Sequence, residues 1–310
     1  CLSHMPIHVD GTVNGIQHWS AILRDPVGAK ASNLSAETRR YDLYLEVADV
    51  VKQIVADDVV KGIKEAHAWV GRVTRKTVKR AVMTTPYGVT DRGIRDQLIS
   101  DKHTDGLEGN NLKNANYMKD VILRAMGAVV EAAQAGMDYV QQVAALLAKH
   151  DLPLKWETPD GMWVQQSYYK FNGTRVRTLA GSFQLLTEDA TRGLEVQKNK
   201  LASAPNYIHS MDAAHMTLTV NSAAAAGVTA FSMIHDSYGC HASDVVLMNK
   251  ILRQTFTDMY KEDQLLKFHN GVVELLTLRN KPEIIEALPN LPHAGNFNVC
   301  EVRDSSYFFS

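Results

Sequence analysis

GRVTRKTVKRAVMTTPYG, residues 71–88, places five cations, Arg72, Arg75, Lys76, Lys79 and Arg80, within nine positions. No acidic residue lies between Glu65 and Asp91. At about 100° per residue, Arg75, Lys79, Met83 and Tyr87 fall on one helical stripe. Arg72, Lys76 and Arg80 lie off it. Pro86 must end or kink the helix, because its ring clashes with the carbonyl four residues back. Tyr87 then stands at the helix terminus. A solvated basic face on a surface helix has the same composition. The flanking sequence has to separate that reading from an anion clamp.

The chain of 310 residues is long enough to bury one large core or two ordinary ones. Its net charge of −1 excludes any global attraction to nucleic acid, so a polyanion site must be local, as 72–80 is. Cys1, Cys240 and Cys300 are too far apart for a zinc-type cluster or a disulfide framework and suit a reducing compartment. No apolar run reaches the roughly 18 residues of a membrane span, and no signal peptide opens the chain. The first residue is Cys rather than Met, and a strand-like segment follows almost at once. That pattern suggests a piece of a longer polypeptide, or a subunit.

MPIHVD (5–10) reads as a short strand ending in Asp10, with GTVNG as a turn and IQHWSAILRD as a helix. An aspartate there can hold a metal or simply cap a turn. Residues 35–70 read as helical throughout, starting at SAET. Residues 91–117 read as polar, with DKHTDGLEGNN as a loop, and 117–149 as one long amphipathic helix. Asn172-Gly173 reads as the turn of a hairpin between MWVQQSYYKF and TRVRTL. Arg175 and Arg177 then share one face, either solvated or ligand-binding. PNYIHSMDAAHMTLTV reads as a helix that brings His209, Asp212 and His215 near one another, although a buried histidine is commonly a core group. FSMIHDSYGCH reads as strand, tight turn, strand, with His235-Asp236-Ser237 at its apex. The final third is helical and closes on an unusually aromatic YFFS.

Two strand-ending aspartates, Asp10 and Asp236, thus flank a basic helix with a terminal tyrosine. Phosphoryl transfer from a nucleotide needs these parts. Two carboxylates suffice for a pair of Mg²⁺ ions about 4 Å apart. Cations clamp the triphosphate, and a lysine can protonate the leaving group.

On DGTVNGIQHWSA (10–21), RKTVKRAVMTTPYG (75–88), PNYIHSMDAAH (205–215), IHDSYG (234–239) and YFFS, the chain resembles the bacteriophage-type single-subunit DNA-dependent RNA polymerases. That family includes the mitochondrial enzymes. The motifs run from end to end of the chain. The resemblance implies the C-terminal part of such an enzyme, without its promoter domain, its thumb or the first part of its palm. The implied fold is α+β: a right-hand palm with a small antiparallel sheet, and a mostly helical fingers insertion. Residues 1–25 and 206–310 would be palm, and 26–205 fingers, including the helix at 72–88.

The same resemblance implies the roles. Asp10 and Asp236 would hold two Mg²⁺ ions, with the Gly11 carbonyl as a further ligand. Lys79 would contact the triphosphate and act as general acid, and Arg75 would clamp phosphate beside it. Tyr87 would stack near the incoming nucleotide and help recognise its ribose, and Met83 would be the apolar surface under the base. His215 would lie beside Tyr87, near the sugar 2′-OH. Gly88 would let the template base approach, and Arg72, Lys76 and Arg80, off the stripe, would meet template phosphate or solvent. Residues 161–190 match the family's promoter-reading hairpin, with Arg175, Arg177 and Gln184 as readers in the major groove. The partners implied are DNA template and promoter, ribonucleoside triphosphates, RNA product and the missing N-terminal portion, in the same chain or as a separate subunit, with no membrane. The compartment implied is the cytoplasm of an infected bacterium or, alternatively, the mitochondrial matrix. Pro86 departs from the small or aliphatic residue expected before Tyr-Gly.

A related right-hand DNA polymerase would share the Arg, Lys and Tyr-Gly spacing. Gly15, which leaves room for a 2′-OH, and Ser237 after His-Asp both favour ribonucleotides. An inactive fragment or nucleic-acid-binding subunit is the other class. Without a thumb, these 310 residues alone are expected to show little processive synthesis.

Overall fold

The edge strand β1 (Ile7–Asp10) leads directly into α1 (Asn14–Ile22), and all of α1 is buried. The structure is a computed structural model that describes residues 4–309, so Cys1 and the last serine of the YFFS motif lie outside the described residues. α2 (Pro26–Ala31) is capped by Asp25, which accepts from the Val27 and Gly28 N–H groups.

The expected helix start at Ser35 is not observed. α3 (Leu43–Val60) begins after Asp42, which caps the Tyr44 and Leu45 N–H groups. Before it, the Asn33 side chain pairs with both backbone groups of Tyr41 and holds that segment out of helical geometry. A separate α4 (Lys64–Trp69) follows. α5 (Arg75–Thr84) opens on a capping box between Thr74 and Thr77, then passes into a 3₁₀ turn at Thr85–Tyr87.

The stretch expected to be a polar loop contains α6 (Asp91–Ser100), capped by Thr90 and anchored by Ile94 and Leu98. The long amphipathic run divides at Val130 into α7 (Asn111–Val129) and α8 (Glu131–Lys149). Two hairpins follow: β2 (Leu154–Glu157) with β3 (Trp163–Gln166), and β4 (Phe171–Thr178) with β5 (Gly181–Glu188). Asn172-Gly173 is therefore inside β4 and not at the turn. Neither residue has the positive φ that an Asn-Gly turn requires. The chain reverses at Leu179-Ala180 instead. Arg175 and Arg177 still share a face, opposite Gln184 and Ser182.

α9 (Val196–Ala225) runs for 30 residues through Pro205, so the expected fingers–palm boundary at 205/206 falls inside a continuous helix. It packs along α8 and against α1. β6 (Ser232–Ile234) and β7 (Ser237–Cys240) flank the turn at His235-Asp236. β7 is the centre of a three-stranded antiparallel sheet, with β1 and β6 on its two sides. α10 (Val245–Met259), α11 (Gln264–Leu278) and α12 (Pro282–Glu286) complete an α+β fold in which a small antiparallel sheet sits against a helical majority. Among the described residues no helix is long and apolar enough to cross a membrane.

The aromatic tail is a core element. Phe308 and Phe309 are 0% and 2% exposed. Gly11 bridges Phe309, the Gln17 amide donates to the Phe308 carbonyl at 2.9 Å, and the Thr12 hydroxyl donates to the Tyr307 carbonyl at 2.8 Å. The last residues thus clamp the loop after Asp10. Phe308→Ala should cost about 3–5 kcal/mol of stability, read from the urea midpoint. A loss below about 1 kcal/mol would show that the tail is peripheral to the core.

Candidate active site

β1 and β7 pair with Asp10 opposite Ser237 and Val9 opposite Tyr238. One step further, the Gly11 N–H donates to the Asp236 carbonyl at 3.2 Å. This register brings two aspartates, distant in sequence, to the same end of the sheet. His235, at φ 53°, turns the chain so that Asp236 follows at the apex. Both aspartates line a cleft of about 590 Å³.

α5 forms the facing wall. Thr77, Val78, Ala81 and Val82 bury one side of it. The opposite side sends Arg75, Lys79, Met83 and, from the 3₁₀ turn, Tyr87 into the cleft. Met83 keeps 45% of its surface exposed there. Arg75 is already engaged: its Nε donates to Asp42 at 2.7 Å, and its guanidinium lies 4.8 Å from the Tyr44 ring centre. Tyr87 stacks on His209 with ring centres 4.7 Å apart and planes 11° from parallel.

Gly15 is required where Tyr87 lands. A Cβ at Gly15 would come within 2.8 Å of Pro86 and 3.0 Å of the Tyr87 ring. The space over Gly15 is thus filled by the tyrosine itself. Gly88 is required for backbone reasons. Its φ is +73°, and a Cβ would meet Pro205 of α9 at 2.9 Å. Pro86 is the middle residue of the 3₁₀ turn, and its carbonyl lies 3.4 Å from the Trp19 indole nitrogen. It therefore ties the helix end to α1.

Several expected residues lie elsewhere. His215 is fully buried and far from the cleft opening: its Nε2–H donates to the Leu252 carbonyl at 3.0 Å, and Tyr238 donates to its Nδ1 at 3.1 Å. Burial lowers its pKa to about 4, so it is a neutral core group. Six positions along a helix is a rotation of about 240°, so His215 and His209 face different neighbours. His209 is the histidine beside Tyr87. Arg72 and Arg80 point away from the cleft. Arg72 donates to the Gly106 carbonyl at 3.1 Å, and Arg80 pairs with Asp101 at 2.5 Å. The loop after α6 occupies both guanidinium groups, which does not fit the template-phosphate role expected of them. Lys76 is exposed on the same helix. Arg175, Arg177 and Gln184 sit on the exposed β4–β5 hairpin and do not line the cleft.

Tyr44, Asn14, His209 and Asp212 line the cleft without having been singled out for it. The Asp42-x-Tyr44 pair at the start of an apolar helical run was the available signal for the first. Asp212 is three positions from His209, about 60° round the helix, so the two share a side.

The cleft is electrostatically divided. Burial, with the Asp212 and Asp10 charges added, pushes the Asp236 carboxyl above the usual range. Burial and the Asp212 and Asp236 charges also raise the Tyr87 phenol, while Asn14 and the Gly15 amide pull the other way. Burial keeps His209 below its usual value. Among the described residues no three His, Cys, Asp or Glu side chains gather as a closed metal site. Asp10 and Asp236 could serve as a donor set for Mg²⁺, which takes one or two carboxylates and completes its shell with water and substrate phosphate.

The family model for DNA-dependent RNA polymerase matches residues 1–286. The chain is 36% identical, over its whole length, to DNA-directed RNA polymerase 1, mitochondrial, of Nicotiana sylvestris, and covers 31% of that protein. It is 36% identical over 99% of its length to DNA-directed RNA polymerase 3, chloroplastic, of the same plant. It is 35% identical to DNA-directed RNA polymerase 2A of Nicotiana tabacum, of which it covers 93%. The chain thus spans less than a third of the longer relatives.

The raised carboxyl has a measurable consequence. Folded Asp236 holds its proton more tightly than the unfolded chain does. Stability from this group is therefore greatest below the unfolded carboxyl value and is lost as pH rises through the elevated folded value. At pH 7 in chelating buffer, Asp236→Asn should raise the unfolding midpoint, by less than about 1 kcal/mol after solvent screening. A lowered midpoint would show that the aspartate is compensated in the fold.

Proposed function

The chain belongs to the family of DNA-dependent RNA polymerases, and from that premise we propose that its cleft performs template-directed RNA synthesis from ribonucleoside triphosphates. One observation carries the reading: a carboxylate pair and a cationic, aromatic helix face oppose each other across one cleft. The carboxylates would hold Mg²⁺, with the Gly11 carbonyl beside them. When bound, the metal supplies charge neutralisation for an in-line displacement at the α-phosphate.

The chain's own residues do the rest. Lys79 meets the triphosphate and gives a proton to the departing pyrophosphate. Arg75 exchanges its Asp42 partner for phosphate oxygens, so the ion pair at 2.7 Å keeps the guanidinium aimed before substrate arrives. The stacked Tyr87–His209 pair borders the sugar, and Met83 offers an apolar surface to the base. In this reading β1, α1 and the β6–β7 hairpin belong to the palm, and α5 to the fingers. The β4–β5 hairpin, with Arg175 facing Gln184, is a fitting promoter reader. In this reading the remaining parts of the enzyme correspond to sequence that the longer relatives carry outside the region matched by this chain. The organellar names of the relatives favour the mitochondrial alternative, or a plastid, over an infected bacterium.

The test uses the complete polymerase. It should prefer rNTPs to dNTPs on a DNA template. Lys79→Ala should lower kcat by about 10²–10⁴-fold. Lys76→Ala should mainly reduce the salt dependence of template binding, by a slope of about one. A dNTP preference would make this a DNA polymerase, and equal kinetic losses at the two lysines would overturn the roles.

A further inference from the structure

At the floor of the cleft lies a set of buried polar groups with no part in the chemistry above. The Asn14 Nδ2, His18 Nε2 and Asp212 Oδ1 atoms are all buried, and none completes a hydrogen bond of good geometry. His18 Nε2 and Asp212 Oδ1 face each other at 3.9 Å. On its other side, His18 Nδ1 sits 2.5 Å from the Tyr260 hydroxyl. Buried polar atoms are normally satisfied, and three neighbouring exceptions call for a reason. They lie between the core and Tyr87.

The donors and acceptors order themselves in one way. Tyr260 is fully buried, which keeps its phenol protonated and able to donate to His18 Nδ1. The imidazole then carries its hydrogen on Nε2, toward Asp212. Burial opposes ionisation of Asp212, but His18 and Asn14 outweigh it and hold the carboxyl below its usual value. A carboxylate only accepts. It therefore orients the Asn14 amide with its NH₂ toward Asp212, and the Asn14 side chain lies beside the Tyr87 hydroxyl, to which it offers that NH₂ without a completed hydrogen bond. The Gly15 N–H, an unpaired donor in the first turn of α1, also points at that oxygen. Both lone pairs of the Tyr87 hydroxyl are then directed inward, and its proton is directed into the cleft.

We propose that Asp212, acting through Asn14 and backed by His18 and Tyr260, is a positioning residue that sets the Tyr87 hydroxyl as a hydrogen-bond donor to the ribose 2′-oxygen. The proposal rests on the ribonucleotide reading of the cleft. A deoxyribose offers no acceptor at that position, so the oriented donor loses a partner. Asp212 touches no reacting atom, and its effect is confined to sugar choice.

The test compares rNTP and dNTP incorporation by the complete polymerase carrying Asp212→Asn, Tyr87→Phe or both. Asp212→Asn keeps the shape and loses the obligate acceptor. It should raise the rNTP KM and reduce the rNTP-over-dNTP ratio of kcat/KM by about 5- to 10-fold, the size of one lost hydrogen bond. In the Tyr87→Phe background it should add less than about twofold, because both changes break one relay. If Asp212→Asn fails to fold, Asn14→Ala breaks the same relay nearer Tyr87 and should give the same non-additive loss. A parallel fall for rNTP and dNTP with the ratio unchanged would make Asp212 merely structural. Full additivity with Tyr87→Phe would also overturn the relay. A wild-type enzyme without rNTP preference would overturn the ribonucleotide reading itself, whereas a wild-type preference untouched by Asp212→Asn would overturn the relay alone.

Discussion

The pairing of β1 with β7 is the constraint on which the rest depends. Asp10 opposite Ser237 fixes where both carboxylates emerge, and a slip of one residue would turn each to the opposite face of the sheet. Four paired residues are few to hold such a register. The Gly11–Asp236 backbone bond extends it, and the tail supports it from the other side, where Phe308 and Phe309 fill the core and Thr12 and Gln17 hold their backbone. The aromatic segment at residues 307–309 is thus built into the site's foundation.

The cleft places like charges together on the sheet wall and cations on the helix wall. On the sheet wall, burial above all, with the neighbouring Asp212 and Asp10 charges added, raises the Asp236 carboxyl. In the proposed reading a bound cation would offset that cost. On the helix wall, Asp42 and Tyr44 hold Arg75 in place. The capping box at Thr74 and the turn at Pro86 fix the two ends of α5. Gly15 lets that turn press directly on α1, so the two walls are joined by contact and not by loops alone.

Local patterns carried the site and failed elsewhere for identifiable reasons. The stripe of Arg75, Lys79, Met83 and Tyr87 was legible because helical periodicity survives any tertiary context. The strand-turn-strand around Asp236 was legible because only a tight turn fits between two short apolar runs. Asn172-Gly173 misled, since its turn preference is weak beside an eight-residue strand pairing that runs straight through it. Ser35 misled because Asn33 captures the Tyr41 backbone, an interaction no local rule reveals. Sequence proximity does not tell which side of α9 meets the 3₁₀ turn, so it does not separate His215 from His209. Arg72 and Arg80 were legible as cations, but their partners come from the loop after α6, which periodicity does not locate.

The proposed divalent-cation site depends on one strand register that brings two distant carboxylates together. Manganese(II) titration of the complete polymerase, followed by electron paramagnetic resonance, tests it most directly. Asp10→Asn and Asp236→Asn should each weaken manganese binding by at least about tenfold. Binding curves unchanged by either substitution would contradict a shared site.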